Sequence, residues 1–173
     1  IPVMMNKQGL DQQIVEKLKI KCSKAKLNDW KKVIRLESEQ KGETKIAMVG
    51  KYTELVDSYK SVNEALIHAG IHNKTNVKIE HIDSERFNKG VHNLEADGIL
   101  IPGGFGNRGI KGMLNVARFA RENNIPYLGI CLGMQVAVIE FARNVLKLDA
   151  DSTEFKKNTK HPVIGLITEW LDE

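Results

Sequence analysis

From position 44 onward the chain alternates short apolar runs with longer stretches of helical spacing. Residues 45–49 (Lys-Ile-Ala-Met-Val) form an apolar run closed by Gly50 and predict a buried strand. Residues 58–71 carry Val62, Ala65, Leu66 and Ala69 at helical spacing, with Gly70 near the end, and predict a helix. Residues 77–82 alternate and predict a strand, and residues 98–102 predict another. Val116, Ala117 and Phe119 place a helix over 113–122. A fourth strand is expected at 125–130, an apolar helix at 132–146 and a fifth strand at 163–167. Strands alternating with helices imply crossover connections, so the expected fold is α/β: a mostly parallel sheet with helices on both faces. Ligands of such folds gather at the carboxyl ends of the strands. The loops after Ile101 and Ile130 are therefore the first places to look for chemistry.

Residues 1–43 follow a different pattern. Ile14, Val15 and Leu18 suggest a short helix with Asp11 as its N-cap. Trp30, Val33 and Ile34 share one face of a second helix over 28–37. Residues 37–43 (Glu-Ser-Glu-Gln-Lys-Gly-Glu) are polar throughout and are expected to form a linker.

Composition narrows the class only a little. The 173 residues are 42% hydrophobic and 28% charged, which suits an ordinary globular chain with one sizeable core. The formal net charge is +4, with Lys17, Lys19, Lys21, Lys24, Lys26, Lys31 and Lys32 clustered near the start. So few aromatics accompany them that they read as a solvated face; no nucleic-acid partner is expected. No apolar run approaches the ~18 residues of a membrane span, so no membrane partner is expected. The chain starts at Ile1 without an initiating Met and is expected to be a piece of a longer protein. Its two cysteines, Cys22 and Cys131, form neither a disulfide framework nor a metal-ligand pattern, and reduced thiols suit the cytoplasm. No metal ligand is assigned.

Candidate chemistry centres on Gly129-Ile130-Cys131-Leu132-Gly133, a G-x-C-x-G string between an expected strand and an expected helix. This is the cysteine form of the nucleophile elbow. A sharp strand-to-helix turn strains the backbone at the nucleophile and forces neighbouring segments together, which the flanking glycines permit. Cys131 would sit at a helix N-terminus, where the dipole and free N–H groups favour a thiolate. The Leu132 N–H points the same way and can donate to an oxyanion. The competing reading is a cysteine used as a small apolar core residue.

A second element favours the elbow. Pro102-Gly103-Gly104-Phe105-Gly106 also follows a strand, and Gly104 is the expected second oxyanion donor. The overlapping G-x-G-x-x-G at 104–109 imitates a dinucleotide fingerprint. It lies on a late strand, and the next strand ends in Cys131 rather than an acidic ribose ligand, so that reading is set aside. Gly50-Lys51-Tyr52 likewise lacks the upstream Gly and the following Ser or Thr of a phosphate loop. Glycine repeated from 104 to 112 suggests a mobile lid.

Pro-Gly-Gly-Phe-Gly at 102–106 together with Gly-Ile-Cys-Leu-Gly-Met-Gln at 129–135 resembles class I glutamine amidotransferases. The strings at 49–52, 57–66, 117–122 and 152–155 are similar to the CTP synthase family in particular. The resemblance covers essentially the whole chain and implies a flavodoxin-like core. It also implies three parts: the end of a synthetase domain at 1–20, an interdomain linker at 21–43, and an incomplete amidotransferase domain at 44–173. In this family glutamine hydrolysis supplies ammonia, and ATP-activated UTP is aminated to CTP. The resemblance therefore implies L-glutamine, UTP and ATP as ligands, Mg²⁺ with ATP, GTP as activator and a homotetramer of the full-length protein. The nucleotide sites would lie in the synthetase portion, and no cofactor is expected in this piece. By position, Cys131 would be the nucleophile and Gly104 and Leu132 the oxyanion donors. Gly104, Leu132, Gly133, Met134, Gln135 and Glu154 would line the glutamine pocket, with Glu154 accepting from the substrate α-ammonium. Taken without the family, Glu154 reads as a surface charge or a capping partner after Ser152-Thr153.

A cysteine amidase also needs a base. The family's His-x-Glu does not occur in this sequence. None of His68, His72, His81, His92 and His161 is assigned that role. His81 is expected at a structural or pocket-rim position and His161 in a loop. This piece alone is therefore expected to hydrolyse glutamine negligibly. The elbow by itself also fits another cysteine amidohydrolase of the same fold, such as a γ-glutamyl hydrolase, or a catalytically dead regulatory module.

Overall fold

A computed structural model describes residues 1–53 and 57–165. Four strands, β1 (Glu43–Gly50), β2 (Asn76–Asp83), β3 (Gly98–Ile101) and β4 (Tyr127–Gly129), form one sheet in the order β2-β1-β3-β4. β1 with β3 and β3 with β4 are parallel, in the registers Met48↔Leu100 and Leu100↔Leu128. This is the expected parallel α/β architecture. Position in the sheet explains the apolar runs. β3 is buried along its whole length, and Ala47, Met48 and Val49 of β1 are fully buried. A strand covered on both faces shows no alternation.

Two helices build most of the core against this sheet. In α5 (Ile110–Glu122), Ile110, Met113, Val116, Ala117 and Ala120 are buried on one face. The helix starts three residues earlier than the spacing predicted, because Gly109 adopts the left-handed conformation at its N-cap. Gly112 thus lies inside the helix rather than in a lid. Asn124, also left-handed, ends it: the Ile125 N–H donates to the Ala120 carbonyl at 2.9 Å. That cap, and Pro126 with no N–H to give, shortens the expected strand 125–130 to Tyr127–Gly129. The Pro126 carbonyl still accepts from Ile99 N–H at 2.8 Å. In α6 (Leu132–Asn144), Leu132, Val136 and Ile139 are buried. α5 and α6 are joined by Arg121, which grips the buried Glu140 carboxylate through bonds of 2.8, 3.0 and 3.2 Å. Burial of that carboxylate is compensated by the guanidinium and by Asn144 Nδ2 at 3.1 Å. The bond to Glu140 in turn holds the Arg121 guanidinium above its ordinary pKa.

The expected fifth strand is placed differently. β6 (His161–Ile164) pairs in parallel with β5 (Ala150–Ser152) in a separate two-stranded sheet. Leu166 and Ile167 lie outside the described residues. β5 has three residues and no periodicity for a sequence reading to detect. His161, expected in a loop, opens β6, its N–H donating to the Asp149 carbonyl at 3.2 Å.

The described residues fall into two compact units, one formed by Ile1–Gly42 with Leu66–Asn76, the other by Glu43–Ala65 and the chain from Val77 onward. α4 (Lys60–Asn73) crosses from one segment to the next. In the first unit, α1 (Pro2–Lys7) and α2 (Leu10–Lys17) precede α3 (Asn28–Ser38). α1 was not anticipated. Asp11 is not the cap of α2: Gly9 holds that position, and the Asp11 carboxylate accepts from Asn6 Nδ2 at 2.7 Å. The polar segment read as a linker is tied down, with Lys41 N–H donating to the Lys74 carbonyl at 2.7 Å and Asn76 N–H to the Gly42 carbonyl at 3.2 Å. Trp30, Val33 and Leu36 of α3 face His68, Ile71 and His72 around a cavity of about 270 Å³.

Adjacent positions on α6 give a test of the packing. Ile139 is fully buried and Val138 is 39% exposed. Ile139→Ala is expected to cost ~2–5 kcal/mol. Val138→Ala should stay within about 0.5 kcal/mol. Urea unfolding midpoints of the two variants check the difference.

Candidate active site

The elbow is built from two close approaches. Cys131 is the N-cap of α6 and has φ 52° and ψ −104°, a left-handed-side conformation that costs an L-residue on the order of 1–3 kcal/mol. The turn brings the first residues of α6 back against the sheet. A Cβ on Gly129 would lie 2.6 Å from the Met134 nitrogen, with the Gly133 carbonyl closer still. A Cβ on Gly133 would lie 2.8 Å from the carbonyl carbon of Ile101 on the neighbouring strand. Only hydrogen fits at either place, which is the physical content of the G-x-C-x-G spacing. Tyr127 fastens the turn: its hydroxyl donates to the Gly133 carbonyl at 2.7 Å. Burial, and then the Glu140 carboxylate, push that phenol's pKa above its usual value, so it remains a donor. Within the first turn the Gly133 N–H donates to the Ile130 carbonyl at 3.0 Å and the Gln135 N–H to the Cys131 carbonyl at 3.1 Å.

The second loop lies directly beside this turn. A Cβ on Gly103 would be 3.7 Å from the Cys131 Cβ, and one on Gly104 would be 3.1 Å from Leu132 Cδ2. The fold therefore brings Cys131, Gly104 and Leu132 together at the carboxyl ends of β3 and β4. Cys131 is exposed, as is Cys22 in the first unit. Leu132 and Gly133 are buried, so at the surface they can offer a ligand only their backbone. Met134 is exposed and Gln135 half-buried.

Glu154 also reaches this loop. It follows β5, where its N–H donates to Ser152 Oγ at 3.1 Å, and its Oε1 accepts from Gly106 N–H at 3.3 Å. The capping partnership with Ser152 and a position beside the glycine loop thus coexist. His81 is distant from this role: its Nε2 meets Asn63 Oδ1 at 3.1 Å and its ring stacks on Tyr59.

Three side chains that the sequence reading did not single out support the loop. Lys51, at the end of β1 and only 3% exposed, donates to the carbonyls of Phe105, at 2.9 Å, and of Gly106. Arg108 donates to the Lys51 carbonyl and pairs with Asp83 at 3.5 Å and Glu85 at 3.1 Å. The Tyr59 hydroxyl accepts from the N–H groups of Lys51 and Tyr52, both at 3.2 Å. Burial, and then the Arg108 guanidinium, hold the Lys51 ammonium below the ordinary lysine range, while Glu154 pulls the other way. The available signal was a lysine placed directly after the buried run Met48-Val49-Gly50. Such a cation has to find partners at the sheet's carboxyl end.

Comparison with known proteins supplies the family context. Residues 54–165 match the family described as glutamine amidotransferase class-I. Among solved structures the chain is similar to the glutaminase domain of Trypanosoma brucei CTPS with bound acivicin. The two are 42% identical with a TM-score of 0.65, over 72% of this chain and 50% of that one. The chain thus spans about half the length of that structural neighbour.

The steric argument predicts a sharp contrast between glycines. Gly133→Ala should lose ~1–3 kcal/mol or more, because the Ile101 carbonyl cannot withdraw from the sheet. Gly165→Ala, with nothing within 4 Å of the added carbon, should change stability by no more than about 0.5 kcal/mol. Chemical denaturation of both variants measures this.

Proposed function

This chain belongs to the class I glutamine amidotransferase family, and from that premise we propose that it is the glutamine-hydrolysing part of a CTP synthase. The observation that carries the reading is Cys131, strained at the start of α6 with the Gly103-Gly104 loop against it. The thiolate attacks the glutamine carboxamide carbon, and the carbonyl π pair moves onto oxygen. The N–H groups of Gly104 and Leu132 receive that oxyanion. The C–N bond then breaks, ammonia leaves with a proton from the general acid, and a γ-glutamyl thioester to Cys131 remains. Water hydrolyses the thioester, releasing glutamate and restoring the thiol. Gly133, Met134 and Gln135 line the pocket beside Leu132, and Glu154 accepts from the substrate α-ammonium.

The general base is taken from a His-x-Glu pair of the protein that this chain does not contain. The ammonia serves an ATP-dependent amination of UTP to CTP in the synthetase portion of a tetramer activated by GTP. In this proposal ATP and Mg²⁺ enter through that portion. The similarity of the strings at 49–66 and of the structural neighbour supports a CTP synthase over other amidohydrolases of the same fold. A cytoplasmic site of action belongs to the same proposal.

The full-length protein is expected to convert UTP to CTP with ATP, Mg²⁺ and glutamine, and Cys131→Ala should abolish that conversion while sparing it when ammonia is supplied directly. This chain alone, lacking the base, should hydrolyse glutamine ~10²–10⁴-fold more slowly than the full-length protein. Acivicin should label Cys131 of the full-length protein and spare Cys22, as read by peptide mass spectrometry. Glutamine-dependent CTP formation by the Cys131→Ala protein would refute the assignment.

A further inference from the structure

The peptide plane between Phe105 and Gly106 is held at both ends by opposite charges. Its oxygen accepts from the Lys51 ammonium at 2.9 Å, and its N–H donates to the Glu154 carboxylate at 3.3 Å. The same ammonium also binds the next carbonyl, that of Gly106. The aliphatic stem of Lys51 runs under the residue before: a Cβ on Gly104 would lie 3.5 Å from Lys51 Cδ. One side chain therefore supports the loop under Gly104 and fixes the two carbonyls that follow. Gly106 and Gly109 both have φ +72°, so the loop contains two positions where glycine leaves the backbone free to turn. A glycine-rich loop of this kind needs an outside restraint to keep one N–H aimed at one point.

Lys51 is itself held firmly. Its N–H donates to the Tyr59 hydroxyl at 3.2 Å, and its carbonyl accepts from Arg108, which is paired in turn with Asp83 and Glu85. The side chain that restrains the loop thus projects from the buried carboxyl end of β1. A buried lysine is costly to keep charged, and apart from Glu154 the cationic Arg108 nearby adds to that cost. Its two acceptors are both carbonyls of this one loop.

We propose that Lys51 is a positioning residue for glutamine hydrolysis: by gripping the Phe105 and Gly106 carbonyls it sets the direction of the Gly104 N–H in the oxyanion hole. The inference rests on the glutaminase reading above. It makes Lys51 act through the loop and not on the substrate. Loss of the grip should then slow acyl transfer, which needs an oxyanion hole, and leave simple thiol alkylation, which does not.

The test is Lys51→Met in the full-length protein, assayed for glutamine hydrolysis and for Cys131 alkylation by iodoacetamide. Removing one oxyanion donor outright costs about 10²–10³-fold in kcat elsewhere. A donor that is present but misdirected should cost ~10–100-fold. KM for glutamine should stay within roughly threefold, since the affected interaction belongs to the transition state. The alkylation rate should be unchanged, and Lys51→Arg, which keeps a cationic donor, should recover part of kcat. If Lys51→Met does not fold, Lys51→Gln, neutral and with a shorter reach, gives the same readout. Unchanged kcat, a rise in KM at unchanged kcat, or an equal fall in turnover and alkylation would each overturn the proposal. Unsubstituted protein that hydrolyses no glutamine would refute the parent reading as well, whereas normal wild-type turnover with an unaffected Lys51→Met variant removes this proposal alone.

Discussion

Everything at this site depends on one backbone constraint, the close approach of the α6 N-terminus to the carboxyl ends of β3 and β4. At Gly133 the helix lies so near the Ile101 carbonyl that a methyl group has no place. At Gly129 the strand lies equally near the helix's first turn. The strain of φ 52° at Cys131 is the remainder of that geometry, carried by the central residue between the two glycines. Such strain persists only where the surroundings over-determine it. Here they do so through the parallel β3–β4 register, the Tyr127 bond to Gly133 and the burial of Leu132, Val136 and Ile139.

The facing loop has the opposite character. It is glycine-rich, exposed at Phe105, and takes its shape from side chains that lie elsewhere in the sequence. Lys51 comes from the end of β1, Glu154 from beyond β5, and Asp83 and Glu85 act through Arg108 from the end of β2. β1, β3 and β4 run parallel and deliver their carboxyl ends to the same side, where side chains from the end of β2 and from beyond β5 join them. The elbow is thus determined locally by sterics, while the Gly104 loop is determined by charged side chains from distant parts of the sequence.

A buried lysine and an exposed cysteine also make different energetic demands. The ammonium of Lys51 is desolvated, which lowers its pKa, and it keeps its charge through two carbonyl partners. Cys131 stays exposed at a helix start, where a thiol can meet both solvent and substrate. The fold spends burial on the support and exposure on the chemistry.

The sequence by itself determined the alternation of strands and helices, the parallel α/β class and the elbow at Cys131. Those features are local: buried runs such as 98–101 read directly as strands, and glycines two positions either side of a cysteine have few other reasons to be there. Tertiary structure decided the rest. It ended β4 at Gly129, because the α5 cap and Pro126 consume the residues before Tyr127. It paired β6 with the three-residue β5 instead of the main sheet, a choice no periodicity of that length can encode. It turned Lys51, weighed in the sequence only as part of an incomplete phosphate-loop string, into a support of the Gly104 loop. That role depends on partners 54 and 55 residues away in the chain, and only folding brings them within hydrogen-bond distance.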